Sequence, residues 1–348
     1  MLNYSFTTVL MAVLTSNFII VLTALCFRHK NILLLAGYRL LIAFLFLSVM
    51  RLMFPFELPM AQYIFLPNIL SVLLTYFDYP FTHLFGISVS LWVMFECVWL
   101  IGIIYHLYNY MRGQFRILSQ LSRYSTDITK QEPYASLLAQ ICGERHNHFQ
   151  VLSVCGLSTP SIYGIIKPRI LIPHEMDLSE SDLYYSLCHE ASHYYHGDLW
   201  IQFIVSILSI IYWWNPACPL LKKQMGMLLE MRVDDSLVKK NPANAIAYLK
   251  TLVHIAEESI RLQTIPDLAF PENLMLSFTK EKDGTLIQRY EMMCNSRKNG
   301  CHMLMAVILF VLISALYVGS FMVTFKNTNI IEQQLTSDFV EDDMGNLF

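Results

Sequence analysis

The sequence predicts an α-helical membrane protein with about four transmembrane helices and one α+β domain on the cytoplasmic side. Three observations predict it. Of 348 residues, 55% are hydrophobic and 15% charged, against about 25% charged in a soluble domain. Four apolar runs, about 5–27, 32–53, 87–108 and 303–325, are long enough to cross a bilayer. Between the third and the fourth lies a more polar stretch of about 190 residues, enough for one globular domain. The expected division is a membrane domain over 1–110 with three spans, a cytoplasmic domain over 111–301, a fourth span over 302–325 and a short extracytoplasmic tail over 326–348.

The first run has no basic residue ahead of it and Arg28, His29 and Lys30 behind it. That polarity is wrong for a cleaved signal peptide, so the run reads as a retained anchor with its N-terminus outside. The positive-inside rule sets the rest. The stretch 55–86 has no Lys or Arg and is expected outside. Arg112, Arg116 and Arg123 follow the third run, and Lys280, Lys282, Arg289, Arg297 and Lys298 precede the fourth, so the segment between is expected inside. The tail after 325 has one Lys and five acids and is expected outside. Two charges fall within spans, Arg39 and Glu96. Either they pair, or Arg39 snorkels to the interface.

Composition also excludes function classes. A formal net charge of −3 offers no nucleic-acid surface. The eight cysteines include no C-x-x-C pair, so neither a thiolate metal ribbon nor a disulfide framework is indicated. Cys188 reads as a small core residue.

The chemistry lies in His189-Glu190-Ala191-Ser192-His193. On a helix, positions i and i+4 share a face, so both imidazoles can address one ion. The carboxylate beside the first can take a proton from a zinc-activated water. Given the chain's own His and Glu content, chance supplies an H-E-x-x-H roughly 0.01–0.02 times. The bland alternative is a surface helix with two solvated histidines.

A zinc peptidase site commonly needs one more protein ligand. Glu230 is the candidate, within Glu230-Met231-Arg232-Val233-Asp234. Asp234, one turn on, could orient a ligating histidine, and Asp235 is expected to be solvated. Asp198 is read as a helix cap, and His196 as a surface or interface histidine. Tyr194, Tyr195, His196 and Arg232 are all open as oxyanion donors. The apolar run 199–214 lies between the two ligand segments. As a full span it would put them on opposite sides of a ~30 Å layer. It is therefore expected to be a core helix or a re-entrant one.

Upstream, Ser158–Pro173 reads STPSIYGIIKPRILIP. Its prolines and glycine suggest a hairpin, with Ile170-Leu171-Ile172 as an edge strand able to hold an extended peptide. A hairpin that merely covers the core is the equal alternative.

Together these pieces resemble the BlaR/MecR family of membrane zinc metallopeptidases, the antirepressor sensor-transducers, over roughly residues 1–325. The resemblance rests on the span order and on P-S-x-x-G-x-x-x-P-R-I-L-I-P at 160–173. It rests also on H-E-x-x-H with Asp198 five residues on, Trp213-Trp214-Asn215-Pro216, and E-x-x-x-D at 230–234. It implies a gluzincin-type domain with zinc on His189, His193 and Glu230, Glu190 as catalytic base and Asp234 orienting a ligand. It implies signal-induced cleavage of the chain itself or of a cytosolic DNA-binding repressor. Expected partners are then a protein or peptide substrate and membrane lipid, with no direct nucleic-acid contact; a homodimer stays open.

The family's best-known members carry a penicillin-binding sensor after the last span. Here 23 residues follow position 325, without an S-x-x-K motif, so direct β-lactam sensing is not expected. Tyr194, Tyr195 and His196 also replace residues that are commonly basic in the family. Two other readings share some of the motifs. One is a CAAX-prenyl-protease or HtpX-like quality-control peptidase, against which the strand region and W-W-N-P weigh. The other is a non-catalytic transducer that binds a cytosolic partner.

Overall fold

The four apolar runs are largely helical, the third opening and the fourth closing on a short strand, in the computed structural model, which describes residues 6–28, 30–56, 62–65, 82–84, 87–263 and 301–326. In chain order, α1 (Phe6–Arg28) and α2 (Lys30–Met53) are followed by short strands β1 (Gln62–Phe65), β2 (Thr82–Leu84) and β3 (Ile87–Val89), then by the long α3 (Leu91–Tyr124). Strand β4 (Ser125–Asp127), helix α4 (Tyr134–Cys142), and strands β5 (Gln150–Val154), β6 (Ser161–Tyr163) and β7 (Arg169–Pro173) come next. Helices α5 (Glu180–Tyr195), α6 (Asp198–Ile211), α7 (Ala217–Lys240) and α8 (Ala245–Gln263) follow. The described part closes with α9 (Cys301–Met322) and β8 (Val323–Lys326). Among the described residues, two helices are long and apolar enough to cross a membrane, Thr8–Arg28 and Leu91–Tyr124; Asp198–Ile211 and Val307–Met322 are shorter apolar helices.

The four-stranded sheet runs β4-β5-β7-β6, with β5 and β7 parallel and the outer pairs antiparallel. Its two faces have different covers. Val151, Ile170 and Ile172 meet Leu183, Leu187 and Ala191 of α5. Leu152, Val154 and Leu171 meet Ile117 and Leu121 at the end of α3. Side chains alternate across a strand, so a strand covered on both faces is apolar throughout. This corrects the expectation for Ile170-Leu171-Ile172. They form an inner strand, 0%, 2% and 3% exposed, with both neighbours already paired. The free edge on that side is β6, which Pro160 and Gly164 flank.

Helix α5 starts at a capping box. The Ser179 hydroxyl accepts from the Asp182 N–H, and the Asp182 carboxylate accepts from the Ser179 N–H. It ends at Gly197, whose φ of 74° lies in the left-handed region that a side chain resists. The chain then leaves along α6, turns through Tyr212-Trp213-Trp214-Asn215-Pro216 and comes back along α7. Helix α6 has 14 residues, about 21 Å at 1.5 Å per residue. Glu230 is the fourteenth residue of α7, so the equal rise carries it back to the level where α6 began.

This hairpin is built into the helical bundle. Val205, Leu208, Tyr212, Leu221, Met225, Leu228 and Leu229 share one core with Ile19 and Ile20 of α1, Leu41 and Leu45 of α2 and Ile313 of α9. Buried polar pairs fix its setting. Asn215 donates to Asn17 at 2.9 Å, Thr23 donates to Gln224 at 2.7 Å, and the Tyr212 hydroxyl donates to the Leu52 carbonyl at 2.9 Å. On α3, Trp213 donates to the Trp99 carbonyl, and its indole stacks on His106. Arg51, fully buried, joins α2 to Ser320 of α9 at 3.0 Å and lies over the Phe321 ring.

Candidate metal centre

Helix geometry puts His189 and His193 on one face of α5, and the return of α7 puts Glu230 opposite them. His189 Nε2 lies 3.2 Å from His193 Nε2 and 3.2 Å from Glu230 Oε2. His193 Nε2 lies 3.4 Å from Glu230 Oε1. On metal bonds of about 2.0–2.1 Å, two corners of a zinc tetrahedron stand about 3.3–3.4 Å apart. Each of these approaches thus matches a tetrahedron edge, the two histidines facing different oxygens of the Glu230 carboxylate, and one donor atom from each residue lies within 4.8 Å of the others. Among the described residues this is the one cluster of three or more His, Cys, Asp or Glu side chains able to hold an ion. His189, Glu190 and His193 are buried, while the Glu230 side chain is 33% exposed. The centre opens on the Glu230 side.

The far nitrogen of each imidazole is also held. His193 Nδ1 lies 2.7 Å from Asp198 Oδ2. The other Asp198 oxygen takes the Arg232 guanidinium. His189 Nδ1 lies 2.9 Å from the Tyr248 hydroxyl, which donates to Asp234 at 2.6 Å; Asp234 itself is 3.6 Å from Nδ1. Asp198 and Asp234 are both fully buried. Such partners fix the tautomer that leaves Nε2 free to ligate.

Each residue singled out in the sequence has a place here. His189, His193 and Glu230 are brought together, Glu190 lies next to them on α5, and Asp234 is on the far side of His189 through Tyr248. The N-cap of α6 is Gly197 rather than Asp198; the Asp198 carboxylate serves His193 and Arg232. Asp235 is buried rather than solvated, and it accepts from Tyr38 and Lys239. Arg39 lies 3.8 Å from Asp235, which answers the Arg39–Glu96 pairing in favour of a different acid. Tyr194 and Tyr195 pack edge-on against Phe149 on the sheet side of α5, and Arg232 is engaged by Asp198. Burial first, then the nearby Arg232 charge, lowers the His196 pKa and favours the neutral ring. Burial pushes the Cys188 thiol up to about 11, so it remains a neutral thiol.

Tyr248 is the functional residue that sequence reasoning missed. It is 2% exposed and comes from α8, after the Asn241-Pro242 break turns the chain. Its only sequence signal is an aromatic one turn into a helix that follows the ligand helix.

The family model described as BlaR1 peptidase M56 matches residues 83–274. The regulatory protein BlaR1 of Bacillus licheniformis is 29% identical over 84 residues, which are 24% of this chain and 14% of that protein. The methicillin resistance mecR1 protein of Staphylococcus aureus (strain Mu50 / ATCC 700699) is 22% identical over 152 residues, 42% of this chain and 25% of that protein. The mecR1 protein of Staphylococcus epidermidis has the same identity and coverage. The matched segments thus span a quarter or less of the length of these curated relatives.

Proposed function

From its membership of the BlaR1 peptidase M56 family, to which this chain belongs, we propose that it is a membrane-tethered zinc endopeptidase of a signalling system. One observation carries the reading: the two imidazole nitrogens stand 3.2 Å apart and each faces one oxygen of the Glu230 carboxylate, at 3.2 and 3.4 Å, with the far nitrogens held by Asp198 and by the Tyr248–Asp234 pair. That donor set suits zinc. His189, His193 and Glu230 would hold it, and when bound it would supply Lewis acidity toward a water and a peptide carbonyl.

The chain's own residues do the remaining work. Glu190 follows His189 directly, on a helix whose N-terminus is boxed and whose sheet-facing side is packed. It accepts a proton from the attacking water and returns it to the leaving amine. Asp198 and the Tyr248–Asp234 pair keep both imidazoles in the ligating tautomer. Burial of the two histidines and of Glu190 keeps bulk water from competing for their hydrogen bonds.

The substrate we assign is the chain itself, a cytosolic DNA-binding repressor, or both. The regulatory protein BlaR1 among its relatives supports that class. We further place the peptidase segment in the cytoplasm, with the N-terminus and the tail outside. The basis is the lack of Lys and Arg in 55–86 against their abundance on both flanks of the peptidase segment.

The test separates metal binding from turnover. Glu190→Gln should keep about one zinc per chain, while cleavage of casein or of a candidate repressor falls by at least ~100-fold, the low end of general-base effects. His189→Ala should lose both. Undiminished cleavage by Glu190→Gln, or its loss of zinc while folded, would sink the assignment.

A further inference from the structure

Helix α7 belongs to two places at once. Its first half lies in the bundle, where Gln224 accepts from Thr23 and donates to the Ile20 carbonyl at 3.3 Å. Its second half carries Glu230 and Asp234 to the metal centre. Between these roles stands Asp235, 7% exposed. It accepts the Tyr38 hydroxyl at 2.5 Å and the Lys239 ammonium at 2.6 Å. The Arg39 guanidinium is 3.8 Å away and also accounts for the tyrosine, donating to its oxygen at 3.0 Å.

Asp234 and Asp235 are consecutive, so they point about 100° apart around the helix. One reaches the Tyr248–His189 pair and the other reaches α2. The same turn is thereby gripped from the peptidase side and from the bundle side. Glu230 lies five residues earlier, about 7.5 Å along the axis. Tyr38 follows Gly37, where α2 departs from helical geometry with φ 72° and ψ 150°. A metal centre tolerates ligand displacements of only about 0.2 Å, so the rotational setting of α7 matters to it.

We propose that Tyr38 is a positioning residue for the metal centre, acting through Asp235 to fix the turn of α7 that carries Glu230 and Asp234. Affinity for the metal then depends on how α2 is set, although α2 contributes no ligand. The inference rests on the zinc reading above and deepens it.

Zinc affinity of the full chain in detergent micelles, measured by competition with a chromogenic chelator, tests it. Tyr38→Phe removes one hydroxyl and keeps the ring. It should raise the zinc dissociation constant about 10-fold, the low end of the effect of losing a ligand-supporting hydrogen bond. Asp235→Ala should do the same, and the double variant should be no worse than the weaker-binding single. A merely structural role would instead lower the melting temperature and leave the affinity of the folded protein unchanged. Wild-type affinity in Tyr38→Phe, or additive losses in the double variant, overturns the proposal while the zinc reading stands. If Tyr38→Phe fails to fold, Asp235→Asn, which keeps an acceptor for the hydroxyl but not the charge, should retain affinity within about 3-fold; a 10-fold loss there would shift the effect from the hydrogen bond to the charge and overturn it too. A wild-type chain that binds no zinc fails the metal reading, and this one with it.

Discussion

His189 and His193 differ in how their far nitrogens are held, and the difference predicts unequal consequences. Asp198 meets His193 directly at 2.7 Å and is tied to Arg232. Asp234 reaches His189 chiefly through the Tyr248 hydroxyl, with its own oxygen 3.6 Å off. Asp198→Asn should therefore weaken zinc binding by 10- to 100-fold, about the range for such partners, and leave Arg232 without its buried counter-charge. Tyr248→Phe should cost less, because Asp234 can close the remaining gap. Competition with a chelator ranks the two; an Asp198→Asn protein with the milder defect would contradict the assignment. These residues also mark how far a sequence can be read. His189, Glu190 and His193 are legible because i, i+4 geometry is local. Glu230 and Asp234 are legible as acids one turn apart on a later helix. The role of Asp198 is not, since a first-turn acid after a glycine looks the same whether it caps a helix or turns back to a histidine. Tyr248 depends on where α8 lands, which only packing decides.

The apolar run after the histidines forms α6. Two ligand segments must share one ion, so the run between them had to return, and α6 and α7 do return with equal rise. Which helices the hairpin packs against was not legible, because apolar faces carry no address. Trp213 supplies one. Its indole lies on Gly102 of α3, where a side-chain β-carbon would come within 2.3 Å of the ring. The ring cannot easily withdraw, since it is hydrogen-bonded to the Trp99 carbonyl and stacked on His106. Gly102→Ala should cost about 1–3 kcal/mol, the usual penalty for overpacking, seen as a lower melting temperature; an unchanged melt would mean that α3 does not seat on the hairpin. The strand at 169–173 was misplaced for a related reason. The prolines ahead of it, Pro160 and Pro168, suggest an edge, while its unbroken apolar run indicates that both faces are covered. Pairing with β5 on one side and β6 on the other decides the matter.

At the scale of the whole molecule, the peptidase segment and the bundle are not separable along the sequence. A boundary near residue 110 follows the hydropathy, yet Leu221, Leu228 and Leu229 of the ligand helix are fully buried in the core formed by α1 and α2. Hydropathy records how apolar a segment is and not what covers it, so the division read from it marks polarity changes rather than folding units. Orientation adds a constraint. Asp198 sits beside His193 at the start of α6, and Lys240 ends α7 five residues, about a turn and a half, past Asp235, which contacts Tyr38 near the basic end of α2. If the basic flanks face the cytoplasm, both ends of the hairpin must face it as well. Reporters inserted just after Asp198 and just after Lys240 should both read as cytoplasmic. Cysteines placed at Lys130 should label only after permeabilisation, in a chain with its native cysteines replaced, and those at Val340 should label in intact cells. Opposite readings for the two hairpin reporters would remove Glu230 from the histidines and leave two imidazoles, too few to hold a catalytic zinc with three protein ligands. Because the same hairpin carries both the bundle contacts and the third donor, that single pair of insertions tests topology and metal centre together.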